Sequence, residues 1–149
     1  FRISTAEVEL EESDFTSLPD YNRLIASVSG TMRLSHGANG SEKLVLPRST
    51  VYAFDGGIQT HCVGKARDLN LMLRKGAAEG ELVFVDSGTE LDLEPAANET
   101  MLLFELESGN AALCAGGNAR LRCTANGQCA LFTVRLVGEA IPDSDNRNG

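Results

Sequence analysis

Val51-Tyr52-Ala53-Phe54-Asp55-Gly56-Gly57, then Ile58-Gln59-Thr60-His61-Cys62, then Arg67-Asp68-Leu69-Asn70-Leu71-Met72-Leu73-Arg74 is the stretch on which the fold turns. Its first piece is an apolar run stopped by an Asp-Gly turn, where glycine supplies the positive φ of a tight turn. Its last piece alternates with period two. As a strand it places Asp68, Asn70 and Met72 on one face and Leu69, Leu71 and Leu73 on the other. Two arrangements give such a strand. Its polar face lines a cavity, or it lies at a sheet edge with that face in solvent.

Outward from this stretch the chain continues in short strands. The pattern predicts them near 2–9, 23–29, 31–35, 43–46, 50–54, 58–63, 68–74, 81–85, 89–93, 100–107, 110–114, 119–124 and 130–137. Turn signals separate them, among them Ser29-Gly30, Gly37 to Gly40, Ser87-Gly88, Gly116-Gly117-Asn118 and Asn126-Gly127. Many short strands at this spacing indicate an all-β barrel or sandwich. The nearest approach to a helix, Ala77 to Leu82, is interrupted by Gly80 and adjoins Gly76. An internal echo is also present. Gly30-Thr31 and Gly56-Gly57 are followed, 58 to 60 residues later, by Gly88-Thr89 and Gly116-Gly117.

Composition narrows the function classes. At 149 residues one domain is the prior, with room for two small fused barrels. Hydrophobic residues make up 42% and charged residues 23%, as in an ordinary globular protein. A net charge of −8 offers no basic excess to displace counterions, so nucleic acid is not an expected partner. No run approaches the 18 or so apolar residues of a membrane helix, and no membrane partner is expected. Cys62, Cys114, Cys123 and Cys129 form no Cys-x-x-Cys pair, which argues against a zinc ribbon or a thioredoxin-like motif. They read as reduced thiols of a cytoplasmic protein. The chain starts at Phe1, already inside a strand pattern, so a preceding natural segment is expected.

The residues supply little for catalysis. The two histidines, His36 and His61, are 25 positions apart, and His36 reads as part of the Gly-rich turn. Glu42 or Asp55 would complete a two-His-one-carboxylate set only by arithmetic, so neither metal nor other cofactor is expected. No Gly-x-Ser-x-Gly elbow is present. His61 and Cys62, as strand neighbours, point to opposite faces, and Cys62 reads as a small core residue. Binding groups are better represented. Arg23, Arg67 and Arg74 each offer a planar fork that matches a carboxylate, and Asn70 is both donor and acceptor.

Three segments resemble one family. The Phe54-Asp55-Gly56 turn followed by Arg67-Asp68-Leu69-Asn70-Leu71-Met72 is similar to a motif of the HutD/Ves family. Phe15 to Arg23 (Phe-Thr-Ser-Leu-Pro-Asp-Tyr-Asn-Arg) resembles its Phe-Pro-Gly-Tyr-x-Arg, and Arg2 to Val8 (Arg-Ile-Ser-Thr-Ala-Glu-Val) its early strand. The likeness spans roughly residues 1–76. It departs at Asp20, where glycine is usual, at Gly57, where aspartate is common, and in having no tryptophan.

The resemblance implies a cupin-like fold, a bicupin of two small β-barrels in one unit. It would cover residues 1–137, with halves near 1–76 and 77–137, ahead of a polar tail over 138–149. It also implies a non-catalytic protein that senses or governs histidine degradation by binding a small anionic intermediate, formylglutamate or urocanate. The site is expected where three segments meet: Arg67, Asp68 and Asn70; Phe54 and Asp55; and Tyr21 and Arg23. Arg67 or Arg23 would hold a ligand carboxylate, and Asn70 would read a neutral polar group. A cofactor-free isomerase or hydrolase, with Asp68 or Asp55 as general base, is the competing reading. Cupin barrels also pair through edge strands, so a homodimer is a further expectation.

Overall fold

A computed structural model describes residues 1–9 and 11–138; the expected polar tail, apart from Gly138, lies outside the described residues. Fourteen strands and no helix occur among them. The first eight are β1 (Arg2–Val8), β2 (Glu12–Asp14), β3 (Tyr21–Gly30), β4 (Met32–His36), β5 (Glu42–Leu46), β6 (Val51–Asp55), β7 (Thr60–Val63) and β8 (Ala66–Arg74). The remaining six are β9 (Ala78–Val85), β10 (Glu90–Leu93), β11 (Glu99–Glu105), β12 (Ala111–Ala115), β13 (Leu121–Thr124) and β14 (Cys129–Leu136).

Period-two alternation drives most of these elements, because it gives each strand one apolar face to bury. The strands form four antiparallel sheets. Sheet one runs β1-β8-β3-β6 and sheet two β2-β7-β4-β5; sheet three runs β9-β14-β11-β12 and sheet four β10-β13. Sheets one and three face each other across a core of Leu69, Leu71, Leu73, Leu82, Phe132 and Val134. Sheet one packs its other face on sheet two around Ile25, Met32, Leu34, Leu46 and Cys62. Sheet three packs its other face on sheet four around Val85, Leu93, Leu103, Ala125 and Cys129. β8 is thus an interior strand, paired on both sides, and the edge-strand arrangement does not apply to it.

The third sheet repeats the strand order of the first, with β9, β14, β11 and β12 in the places of β1, β8, β3 and β6. The β2–β7 pair recurs as β10–β13, and the β4–β5 hairpin has no counterpart. One bond pins the alignment. The N–H of Gly56, just past β6, donates to the carbonyl of Tyr21 at 2.8 Å, and that of Gly116, just past β12, donates to Glu99 at 2.8 Å. A Cβ on Gly56 would lie 2.6 Å from that Tyr21 oxygen, so close backbone approach demands glycine there. This arrangement is compatible with two fused barrels. The Gly-Thr part of the echo does not hold, since Gly30 ends β3 whereas Gly88 lies between β9 and β10.

Two local expectations need correction. β2 was not anticipated, because three polar residues paired only to β7 carry no alternation to read. His36 is not a turn residue. It ends β4 on the same inward face as Met32 and Leu34 and is 4% exposed. Its Nδ1 lies 2.9 Å from Thr60 Oγ1 and its Nε2 2.8 Å from Tyr52 Oη, so both ring nitrogens are satisfied. Cys62 is fully buried and its neighbour His61 turns outward to Asp14 at 2.7 Å, as their alternation requires. Burial, reinforced by the Asp68 charge, pushes the Cys62 thiol up to about 11. All four cysteines are free.

Candidate functional site

The inner face of sheet one forms a polar floor. Cross-strand register sets it out in three rows: Arg2, Met72 and Arg23; Ser4, Asn70 and Ile25; Ala6, Asp68 and Ser27. These residues share a face because each is two positions from the next along its own strand. Asp14, Phe15, Thr16 and Leu18, from β2 and the segment after it, close over the floor. Backbone bonds from Phe15 N–H to Thr60 C=O (2.9 Å) and from Leu18 N–H to Gly56 C=O (2.6 Å) fasten that segment. The pocket they line, partly open to solvent, is about 340 Å³, the size of a small-metabolite site.

Three buried polar side chains define its chemistry. Arg23, Asp68 and Asn70 are 5%, 4% and 5% exposed. Arg23 donates from Nε to Asn70 Oδ1 at 3.3 Å and from Nη1 to the Thr16 carbonyl at 3.4 Å. Its guanidinium lies 5.1 Å from the Phe15 ring centroid and 5.4 Å from that of Phe54, a double cation–π clamp. Asp68 Oδ1 accepts from the Ala6 N–H at 3.1 Å. Burial lowers the Arg23 pKa against the opposing pull of Asp68. Burial likewise raises the Asp68 carboxyl above the usual carboxylate range, against the Ala6 N–H and the Arg23 charge.

What these groups leave unused matters most. Arg23 Nη2, Asn70 Nδ2 and Asp68 Oδ2 make no hydrogen bond to the described residues. No sealed side-chain atom is left unpartnered among those residues, so all three open onto the cavity. The site therefore offers a cationic donor, a neutral donor and a carboxylate acceptor. A ligand carboxylate suits the first, a carbonyl the second and an N–H the third.

The other expected residues lie elsewhere. Arg67 projects from the opposite face of β8, where its Nη1 donates to the Leu106 carbonyl at 2.9 Å and its Nε to Thr5 Oγ1 at 3.4 Å. It shares the odd-numbered face of the three leucines, so of the two expected arginines Arg23 is the one that meets the cavity. Asp55 is exposed, paired with Lys75 Nζ at 2.8 Å and accepting from the Gly57 N–H at 2.8 Å. The Lys75 bond first, then the Gly57 N–H, hold its carboxyl below the usual range. It secures the turn and does not line the cavity. Phe54 sits behind Arg23 as its inner clamp. Tyr21 shares the Arg23 face of β3 but stands outside the lining, its carbonyl taken by Gly56. Sequence reasoning missed Arg2, Ser4, Asp14, Phe15, Thr16 and Leu18 as wall residues, although the period-two run Arg2-Ser4-Ala6 signalled one row of them.

The counterpart positions in the second half are apolar. Register places Met101, Leu131 and Cys129 where the first half has Arg23, Asn70 and Asp68. All three belong to the apolar cluster between sheets three and four. The broader depression along β10 and β13, about 550 Å³, is an open surface over the exposed Asp92–Arg122 pair. Among the described residues no group of three His, Cys, Asp or Glu side chains is placed to hold a metal, and no helix is long and apolar enough to cross a membrane.

Comparison with known proteins places this geometry. HutD of Pseudomonas fluorescens SBW25 superposes with a TM-score of 0.73 at 24% identity, covering 92% of this chain and 79% of that one. PA5104, a conserved protein of unknown function from Pseudomonas aeruginosa PAO1, gives 0.71 at 28% identity, covering 93% and 83%. AerE from Microcystis aeruginosa shares the fold alone, at 0.53 and 12% identity over 91% and 86%. No curated protein matches the chain. The family model for HutD matches residues 1–135, which takes in every strand but the last residue of β14. The chain has an all-β fold and belongs to the HutD family.

Proposed function

We propose that this protein is a non-catalytic receptor for a small anionic metabolite of histidine degradation, acting as a sensor or governor of that pathway. The observation that carries the reading is the trio of open polar atoms on Arg23, Asn70 and Asp68. The same fold repeats in the second half without them. A half-desolvated guanidinium beside a neutral donor and a carboxylate suits an anionic ligand that also carries a carbonyl and an N–H.

Formylglutamate offers a partner to each of the three groups, with its second carboxylate left over. A carboxylate would meet Arg23, the formyl oxygen Asn70 Nδ2, and the amide N–H Asp68 Oδ2. Urocanate supplies a carboxylate and an imidazole N–H, and lacks the carbonyl. Titration calorimetry with formylglutamate, urocanate, glutamate and histidine tests this, with formylglutamate expected to bind most tightly. No heat with any of the four would end the ligand assignment. Asp68, whose carboxyl burial raises above the usual carboxylate range, also favours a second reading as a general base in a cofactor-free isomerase or hydrolase. A change in urocanate absorbance over hours with purified protein would support that reading instead.

A further inference from the structure

Arg23, Asn70 and Asp68 leave one carboxylate of formylglutamate unmatched, and the pocket holds a second cation. Arg2, on the edge strand β1, lines the same space. It stands in the row Arg2, Met72 and Arg23, so the two arginines flank Met72 on one face of sheet one. Two strand spacings separate their Cα atoms, about 10 Å. Asn70 and Asp68 follow Met72 one and two rows further along the same face of β8.

The two arginines are held differently. Arg23 is buried, with its guanidinium between Phe15 and Phe54 and its Nε bonded to Asn70. Arg2 is exposed at the rim and makes no ion pair among the described residues. Neither carboxylate of the pocket neutralises it. Asp68 accepts from the Ala6 N–H at 3.1 Å, and Asp14 lies 2.7 Å from His61 Nδ1. Because Arg23 is pinned by its aromatic clamp and Met72 stands between the two stems, the pair makes two anchors and not one clamp. The second half has neither. Register puts Glu81 and Met101 on either side of Thr133, where the first half has Arg2 and Arg23 on either side of Met72. The place of Arg2 thus carries the opposite charge in the half that lacks the polar floor.

We infer that Arg2 is a second anion anchor of this pocket, and that it makes the site selective for dicarboxylates that carry an acylated amine. The inference rests on the small-anion reading proposed above and adds the residue that decides which anions are taken. One carboxylate meets Arg23, the amide meets Asn70 and Asp68, and the other carboxylate meets Arg2 at the rim. A planar guanidinium matches that carboxylate through two parallel N–H donors. Monocarboxylates, urocanate among them, leave Arg2 without a partner and gain nothing from it.

Titration calorimetry of N-formylglutamate and N-formylglutamine into wild type, Arg2→Gln and Arg33→Gln tests the inference. The two ligands differ only in that an uncharged amide of similar shape replaces one carboxylate. Wild type is expected to bind N-formylglutamate about tenfold more tightly, the value of one charged hydrogen bond at a partly solvated rim. Arg2→Gln should lose that preference and keep wild-type affinity for N-formylglutamine, which also shows that the variant is folded with its floor intact. Arg33→Gln removes the same charge from the exposed outer face of sheet two and should keep the preference, which separates contact from the general field of the protein. Four results would each overturn the role of Arg2 and leave the small-anion reading in place. They are equal binding of both ligands by wild type, an undiminished preference in Arg2→Gln, loss of N-formylglutamine binding in Arg2→Gln, and an equal loss of preference in Arg33→Gln. No heat from wild type with either ligand would also overturn it, and the small-anion reading falls too if urocanate, glutamate and histidine are equally silent.

Discussion

Replacing Arg23 by methionine, the residue at the counterpart position 101, puts the site to its sharpest test. The change keeps an unbranched stem about as far as Nε and removes the charged end. Arg23 is the one buried cation facing the cavity, so a ligand carboxylate loses a charged hydrogen bond worth about 1.5–3 kcal/mol, and affinity falls roughly 10- to 150-fold. Stability responds differently. Asn70 Oδ1 loses its donor at 3.3 Å, but the cavity admits water, so the cost stays near 1 kcal/mol. The lost clamp between Phe15 and Phe54 adds about 1 kcal/mol, and relief of the buried charge offsets part of the sum. Arg23→Met combined with Asn70→Leu removes both partners of the bond, which is close to neutral when shape is kept. The double variant should therefore regain most of the lost urea stability and none of the lost affinity. Calorimetry and urea titration on wild type, both single variants and the double variant separate the two effects. Wild-type affinity in Arg23→Met, or recovery of affinity along with stability in the double variant, would refute the assignment.

Asp68→Asn probes the buried carboxyl through pH. Its folded pKa is raised, so its contribution to stability is full below the unfolded value near 3.9 and is lost as pH rises through the folded value. Urea midpoints measured from pH 4 to 7 should fall less steeply in Asp68→Asn than in wild type, and equal slopes would contradict this. Arg67→Ala should leave ligand affinity within twofold and cost about 1 kcal/mol, because its bond to the Leu106 carbonyl ties the two halves together. Cys62→Ala should likewise spare binding while lowering stability by about 1 kcal/mol, and the native thiol should resist alkylation at neutral pH. Gly116→Ala would drive its Cβ into the Ala96 carbonyl oxygen, so a loss of about 3 kcal/mol or more is expected; a change under about 0.5 kcal/mol would show that the 94–98 loop yields freely.

Alternation along each strand made the all-β class legible, and with it the separation of Asp68 and Asn70 from Leu69 and Leu71. That rule is local, because successive side chains must point to opposite faces whatever the rest of the chain does. It also separates Arg67 from Asp68, and with the leucines in the core it sends Arg67 away from the polar face. Cys62 and His61 divide in the same way. His36 was misread because glycines follow it directly, while its inward position depends on Met32 and Leu34 before it and on Tyr52 and Thr60 far along the chain. Which polar face is enclosed was beyond local reading. Arg23 meets Asn70 across 47 residues and Ala6 meets Asp68 across 62, and only strand pairing brings them together. The same pairing made β8 an interior strand, drew Phe15 and Thr16 over the floor, and set Met101, Leu131 and Cys129 where the first half has its charges. Sequence alone thus determined most of the strands, β2 apart, and the alternation of faces along them. Tertiary structure decided which face closes into a cavity and which edge stays open, because both depend on which distant strands pair.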